Sequence, residues 1–540
     1  MSDKQLIVVF KRLILVGLTI FALFNITVSL IVSWGQPQIQ SRLELYQTNL
    51  LLHAAQFQDK KTATTSTKDS TTDLTNAREV LIGKEPFKEA QKQYKEARKE
   101  AQRTQVQIAA KLDNLSSSEV SSSTDSTQPK LPVSTRAKLA GSSLDLQQSL
   151  SEVKQLVDEL DLRLGIFQAQ QGETSSAIQT WNQLINRDSI AKDSTRQTAA
   201  VLTNLWSNSP RLLPDAEAII QKNLDSWFRY RALTQLYQLQ QRQDALVSLQ
   251  AKEQEIAQQA ILKLALIGVI PGFGGLLGVG LLLFLLIQRL LQGKQSILAT
   301  NGDLAWETPW DAETIWQVLI FGFFFVGQLL LPLLFSILGF NPTGLSVRDK
   351  AFYVLFSYLL LAAGGLSVLY FSIKPFLPIS QDWFRLELKN NWIIWGIGGY
   401  LVALPLVIIV SLLNQQIWQG QGGSNPILPL ALEGKDSVAL LIFFLTAAVA
   451  APIFEEIIFR GFLLPSLTRY MPVWGAVVAS SLLFAIAHLS LSEVLPLATL
   501  GMVLGFVYTR SRNLLAPMLL HSLWNSGTLL SLFVLGSGAN

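Results

Sequence analysis

Three short motifs near the end of the chain combine residue types that can hydrolyse a peptide bond. They are EEIIFR at Glu455–Arg460, FAIAH at Phe484–His488 and HSLWN at His521–Asn525. Each places a charged, imidazole or carboxamide group in apolar sequence, where such groups are costly unless they are paired or functional. A carboxylate, an imidazole and a pair of donors are the groups that a water-mediated acyl cleavage requires.

The spacing within two of these motifs gives each side chain a direction. Glu456 and Arg460 are four residues apart, so they share one helix face and can neutralise each other. Glu455 points about 100° away from Glu456, which leaves it free to act. His521 and Asn525 also share a face, where they could stabilise an oxyanion. The alternatives are a surface Glu–Arg cluster and polar contacts between helices.

Histidine is scarce in this chain, which makes its positions informative. There are only three histidines, and two of them, His488 and His521, lie in apolar segments, whereas His53 does not. Each intramembrane histidine could simply form a hydrogen bond to a neighbouring helix. Because the motifs are close in sequence, we instead expect one site built from Glu455, His488, His521 and Asn525.

The combination EExxxR, FxxxH and HxxxN in multi-spanning sequence resembles the CAAX protease and bacteriocin-processing family, which includes Rce1-type prenyl proteases and Abi proteins. The resemblance covers residues 437–535. It implies that Glu455 is the general base for a water molecule that His488 helps to hold and polarise. It implies an oxyanion hole made by His521 and Asn525. Glu456 and Arg460 would then be a structural pair that orients the motif helix.

Other hydrolytic sites fit the sequence poorly. The chain has no cysteine, which excludes thiolate nucleophiles, and it contains neither HExxH nor GxSxG. A zinc site made by Glu455, His488 and His521 remains open, because one Glu and two His form a known catalytic ligand set. We expect no cofactor, since Asn525 is better suited to donate to an oxyanion and Glu456 should be occupied by Arg460.

The elements that position these motifs are membrane helices. Of 540 residues, 49% are hydrophobic and only 15% are charged, and the small net charge of +4 with no basic block argues against a nucleic-acid partner. We predict an all-α polytopic bundle of about nine spans. They are Leu13–Val32, Leu264–Ile287, Ile315–Phe340, Ala351–Ile373, Trp392–Leu413, Val438–Phe454, Trp474–Leu491, Val494–Tyr508 (short, and a candidate re-entrant segment) and Leu514–Leu535.

Four regions follow from this pattern. Residues 1–34 form an anchor whose lack of a small-residue cleavage site favours an uncleaved span over a cleaved signal peptide. Residues 35–260 form a helical soluble domain, residues 261–436 form transmembrane helices, and residues 437–535 form the catalytic part.

The soluble domain shows two kinds of local pattern. The spacing of Gly165, Gly172, Ala177 and Trp181 fits one TPR-like helical hairpin, and a second hairpin is predicted at Trp227–Glu255 with Ala245 as its small residue. An ordinary helical bundle explains the same residues. Two low-complexity segments, Lys61–Thr72 and Ser116–Ser126, are predicted to be mobile linkers.

The distribution of basic residues predicts the orientation of the chain. With the N-terminus inside, twelve Lys and Arg residues fall in cytoplasmic segments and three, namely Arg348, Lys350 and Lys435, fall outside. The cytoplasmic set is Lys4, Lys11, Arg12, Arg289, Lys294, Lys374, Arg385, Lys389, Arg460, Arg469, Arg510 and Arg512. Residues 35–260 are therefore expected to be extracytoplasmic, on a bacterial cell membrane or internal membrane.

The sequence thus predicts an intramembrane endopeptidase that acts on a membrane-associated peptide or membrane-protein substrate, with residues 35–260 available to bind a protein partner. The alternative is a non-enzymatic membrane scaffold in which the polar residues only lock the bundle. A transporter fits least well, because the membrane half shows no internal repeat.

Overall fold

The computed structural model describes residues 3–34, 36, 40–57, 82–124, 133–187, 193–340, 344–389, 391–425, 427–433 and 436–537. Within these ranges the chain is helical and contains no extended strand, which confirms the all-α fold class. The chain divides into two compact units: Gln40–Leu266 with Ser537–Asn540, and Met1–Ile39 with Ile267–Gly536.

The unit that begins at Gln40 is a set of packed helices around an aromatic core. Phe167 stacks on Trp227, and Tyr94 and Phe228 meet the same cluster edge-on. Its helices are α2 Gln40–Ala55, α3 Pro86–Thr124, α4 Val133–Gln170, α5 Thr174–Ile185, α6 Asp193–Trp206, α7 Ala216–Asn223, α8 Ser226–Leu239 and the first part of α9 Gln243–Gln295.

The pattern of small residues does mark a close helical hairpin. A Cβ on Gly165 of α4 would lie 2.2 Å from Trp181 Nε1 on α5, so only glycine lets the two helices approach this closely. Trp181 donates a hydrogen bond to the Leu162 carbonyl at 3.1 Å. Gly172 turns the chain with φ 83, and Ala177 is fully buried. Helices α8 and α9 form the second hairpin, in which Gln241 takes the left-handed turn position; a repeat array remains a prediction.

One of the two predicted linkers is not irregular in the structure. Helix α3 continues through Ser116 as far as Thr124, so Ser and Thr do not end the helix where we expected. Serine and threonine are only weak helix breakers, and their side chains favour turns mainly where caps are formed. The other segment, Lys61–Thr72, lies outside the described residues.

The second unit is a bundle of apolar helices, and the protein is an integral multi-pass membrane protein. Eight helices among the described residues are long and apolar enough to cross a membrane, and one shorter apolar helix accompanies them. The eight are α1 Val9–Trp34, α9 Gln243–Gln295, α10 Ala312–Ile337, α11 Val347–Phe376, α12 Trp392–Trp418, α14 Ser437–Leu467, α16 Leu491–Ser511 and α17 Leu515–Gly536. The short helix is α15 Val473–Ile486, and α13 is Ile427–Glu433.

Two span boundaries near the motifs were predicted wrongly. Helix α14 continues to Leu467 instead of ending at Phe454, so EEIIFR lies inside a span and not at its end. Helix α15 ends at Ile486, before His488, whereas α16 has 21 residues and is not the short element. The predicted ends of these spans rested on hydropathy alone. Hydropathy ends a span at a charged residue even where that residue is buried and paired inside the helix.

Candidate active site

The helix that carries EEIIFR, α14, is interrupted by two widened π-helical turns. They cover Thr446–Ala450 and Ile457–Leu463, and each ends two residues before a proline, Pro452 or Pro465. Proline has no N–H and its ring crowds the carbonyl of the preceding turn, so a wider turn relieves the clash. Backbone carbonyls are thereby released from the helix and become acceptors for side chains of other helices.

Glu456 is the hub of a fully buried polar cluster. Its Oε1 accepts hydrogen bonds from Arg460 Nη1 and from His521 Nδ1, both at 2.8 Å. Arg460 Nη2 donates to the Gly501 carbonyl at 3.1 Å, and its guanidinium lies 4.5 Å from the centre of the Phe484 ring. The cluster therefore ties α14 to α15, α16 and α17, and it fixes the position of the His521 ring.

Glu455 has a different environment from its neighbour. Its side chain is 14% exposed, whereas that of Glu456 is 0% exposed. Glu455 Oε1 accepts a hydrogen bond from the Tyr358 hydroxyl at 3.0 Å, and Oε2 lies 3.9 Å from His521 Nε2. That separation is too long for a direct hydrogen bond, but a water oxygen about 2.8 Å from each atom would bridge them.

Tyr358 was not anticipated from the sequence. It lies on α11, almost a hundred residues before Glu455, and its ring packs edge-on against Phe454 at 6.1 Å. The only available signal was a hydroxyl in an apolar span, and such hydroxyls are common in membrane helices. Its contact with Glu455 depends on how α11 packs against α14, which the sequence does not reveal.

His488 lies beside the same phenylalanine as His521. Its ring centre is 5.0 Å from that of Phe484, and that of His521 is 5.7 Å from it, so both imidazoles border one aromatic ring. His488 Nδ1 contacts the Phe484 carbonyl at 2.9 Å, which leaves Nε2 for another partner. The next residue, Leu489, has φ 57, a left-handed conformation that costs a non-glycine residue roughly 1–2 kcal/mol.

Asn525 is anchored by α14 rather than being free. Its Nδ2 donates to the Ala447 carbonyl at 2.7 Å, and Ser522 Oγ donates to the Ala448 carbonyl at 2.5 Å. The Ala451 N–H bonds to Thr446, five residues back, and Pro452 has no N–H, so the Ala447 carbonyl has lost its helical donors. One N–H of the Asn525 carboxamide is thus committed, and one remains for a ligand.

The structure links Glu455, Glu456 and Arg460 through His521, and His488 borders the same Phe484 ring as His521. Asn525 instead contacts α14 at Ala447, and the described residues show no direct contact of His488 or Asn525 with Glu455. One prediction is corrected. Glu456 is not occupied by Arg460 alone, because it also accepts from His521. This second contact is the kind that metal-bound histidines usually make, so it removes one argument against zinc. Among the described residues, no group of three His, Asp or Glu side chains is placed to hold a metal ion, and the absence of a cofactor stays a prediction.

Comparisons with known proteins agree with the position of the motifs. Residues 437–527 match the family described as type II CAAX prenyl endopeptidase Rce1-like. All six motif residues lie in this segment, and Tyr358 lies outside it. No solved structure matches the chain.

Two curated relatives show the extent of the similarity. The membrane-embedded CAAX protease MroQ of Staphylococcus aureus is 24% identical over 219 residues, which cover 39% of this chain and 87% of MroQ. YdiL of Bacillus subtilis, whose name suggests a membrane peptidase, is 28% identical over 134 residues, which cover 25% of this chain. The chain spans only about half of YdiL, 54% of its length. The similarity to Rce1-like CAAX proteases is therefore carried by the C-terminal part of the chain, residues 437–527.

Proposed function

We propose that this protein is an intramembrane endopeptidase in which Glu455 activates a water molecule. Glu455 takes a proton from the water, and the hydroxide attacks the carbonyl carbon of the scissile peptide bond. The oxyanion of the tetrahedral intermediate accepts hydrogen bonds from Asn525 and His521, and His488 helps to hold the water. As the C–N bond breaks, the leaving amine takes the proton back from Glu455.

One observation carries this proposal: two adjacent carboxylates have opposite environments. Glu456 is fully buried and paired with Arg460. Glu455 is partly exposed, and its Oε2 lies 3.9 Å from His521 Nε2. A carboxylate that accepts from His521 Nδ1 orients the ring and keeps a proton on Nδ1, so Nε2 can donate to an oxyanion only when the ring carries both protons. A scaffold needs Glu456 and Arg460 to lock the helices, but it has no use for an accessible Glu455.

The test compares the wild type with Glu455→Gln and Ser522→Ala in full-length protein reconstituted into vesicles. A farnesylated CAAX peptide is the first probe, because the family description names prenyl endopeptidases. We expect Glu455→Gln to insert and fold normally but to lose cleavage, whereas Ser522→Ala retains it. A substrate trap with Glu455→Gln in native membranes would then identify the substrate and any partner of residues 35–260. Equal cleavage by Glu455→Gln and the wild type would refute the assignment of the base.

We further propose that hydrolysis needs no metal ion. The second N–H of Asn525 donates to the oxyanion, and His521 Nε2 does so when the ring carries both protons, so a Lewis acid is not required there. Exhaustive treatment with a strong zinc chelator should leave activity unchanged, with metal content measured on the same sample. Loss of activity that zinc restores, at about one zinc per chain, would instead make Glu455, His488 and His521 ligands.

The proposed orientation has the N-terminus in the cytoplasm and residues 35–260 outside. Arg460 no longer counts as a loop residue, since it is buried in α14, yet the remaining basic residues keep the same asymmetry. Because the chain has no cysteine, single cysteines report topology cleanly. Ser175→Cys should react with an impermeant maleimide on intact cells, and Gln295→Cys only after permeabilisation. The reverse pattern would invert the topology.

A further inference from the structure

A cavity lies between α9, α12 and α16. It is a groove of about 1210 Å³ with mostly apolar walls, and the Glu455 site contributes no residue to it. Its walls include Leu281 and Leu285 of α9, Trp395 and Gly398 of α12, and Phe506 of α16. A groove of this kind in a membrane bundle faces hydrocarbon, so an apolar chain is its natural content.

The groove exists because α9 and α12 touch at one level and then separate. A Cβ on Gly278 would lie 1.9 Å from the Leu401 carbonyl oxygen, so the helices are in backbone contact there. The lining on α9 begins at Leu281 and runs to Arg289. Gly278 and Arg289 are eleven residues apart, about 16 Å along the helix, which is roughly half of the ~30 Å hydrocarbon core. The groove is as deep as one leaflet.

Basic residues gather at the mouth of this groove. Arg289, Lys294 and Arg510 line it, and Asp303 is the one acidic residue among its lining residues. Arg510 is only 4% exposed. Its Nε donates to the Leu298 carbonyl at 2.7 Å, and its guanidinium lies 4.7 Å from the Phe506 ring centre. The guanidinium is therefore held in place rather than free to move.

Donors remain available at this mouth. Arg510 Nη2 makes no hydrogen bond to the described part of the chain, and Lys294 forms no hydrogen bond or ion pair there. Three cations against one carboxylate give the mouth an excess of positive charge. An arginine and a lysine that line one pocket suit a phosphate, which accepts from both.

We propose that this groove binds one anionic phospholipid. An acyl chain lies along α9 and α12 from Leu285 toward Gly278, and the phosphate is held between Lys294 and Arg510. The leaflet-deep apolar walls and the cationic mouth each match one part of that molecule. The proposal is independent of the peptidase assignment, because it uses none of the residues of that site.

Two variants separate the contributions of charge and shape, and one serves as a control. Lys294→Ala removes a phosphate donor. Gly398→Leu fills the groove; a Cβ there would lie 3.8 Å from Leu281 Cδ2, which is an ordinary contact. Lys374→Ala removes an exposed cation that is predicted to lie at the same membrane face but does not line the groove.

The experiment measures lipid retained by the full-length protein in native mass spectrometry, with phosphatidylglycerol or phosphatidylcholine added. We expect preferential retention of phosphatidylglycerol. Lys294→Ala should weaken it roughly fivefold, the effect of about 1 kcal/mol for one cation near an anionic lipid. Gly398→Leu should abolish it, and Lys374→Ala should have no effect.

Three outcomes would overturn the proposal. The first is equal retention of phosphatidylcholine, which would indicate ordinary bilayer contact. The second is an equal effect of Lys374→Ala and Lys294→Ala, which would indicate general surface charge. The third is thermal stabilisation by inorganic phosphate alone that matches stabilisation by the lipid, since no acyl chain would then be involved. If Gly398→Leu fails to fold, the comparison of the two lysine variants still decides the matter.

Discussion

Replacement of Glu456 by glutamine should lower both stability and activity, and a second substitution should restore only the stability. Glu456 and Arg460 are both 0% exposed, and the variant keeps the shape of the side chain while it removes the charge. Arg460 keeps its bond to the Gly501 carbonyl and its contact with Phe484 but loses its carboxylate partner. Removing one partner of a buried ion pair typically costs about 3–5 kcal/mol, so Glu456→Gln should unfold at a clearly lower temperature.

The double variant Glu456→Gln/Arg460→Met tests the other half of the reasoning. Replacing both members of a buried pair by uncharged groups is often neutral or stabilising, so we expect most of the lost stability to return. Activity should not return, because His521 Nδ1 still lacks a carboxylate acceptor. Positioned acid–base groups contribute about 10²–10⁴-fold, and a loss in this range is expected in both variants.

The assay combines tryptophan fluorescence during thermal unfolding in detergent with cleavage by the same samples. Wild-type activity in the double variant would refute the positioning role of Glu456, which would then be only structural. An unchanged unfolding temperature in Glu456→Gln would refute the cost assigned to the buried charge.

Three further outcomes follow from individual contacts. Tyr358→Phe should lower kcat by about tenfold or more with little change in KM, because a hydrogen bond to a charged group is worth about 1.5–3 kcal/mol and orients Glu455. Asn525→Ala should lower kcat by about 10²–10³-fold, as loss of an oxyanion donor does. Ser522→Ala loses a comparable hydrogen bond to a carbonyl of α14 and should leave kcat unchanged. Equal losses of activity in the two variants would show that Asn525 has only a structural role. His53 is buried, and burial lowers its pKa from the usual 6.5 to about 4, so the unfolded chain takes up the proton first as the pH falls. Stability is full above about pH 6.5 and should fall by about 3 kcal/mol toward pH 4, which chemical denaturation would detect and which His53→Gln should abolish.

The sequence alone predicted those features that depend on residues within one helix. Hydropathy gave the membrane bundle, and the four-residue spacing gave the pairing of Glu456 with Arg460, since both depend on one helix. The depth of the motifs in the membrane could not be predicted from residues within one helix. The predicted end of α14 at Phe454 put Glu455 near a membrane face, whereas the helix continues twelve residues beyond Glu455 to Leu467, about 18 Å of further helix. The charge of Glu456 is tolerated inside the span because Arg460 and His521 are paired with it.

The position of Asn525 shows why the remaining part could not be predicted. Spacing correctly gave it a face in common with His521, but not the acceptor on the neighbouring helix. That acceptor exists because Pro452 and the widened turn before it release the Ala447 carbonyl. The proline is visible in the sequence, and the released carbonyl follows from it. Which side chain donates to this carbonyl depends on how α17 packs against α14, and no local sequence pattern encodes that packing. In α14, therefore, a helix defect is what binds the candidate oxyanion donor to the helix that carries the candidate base.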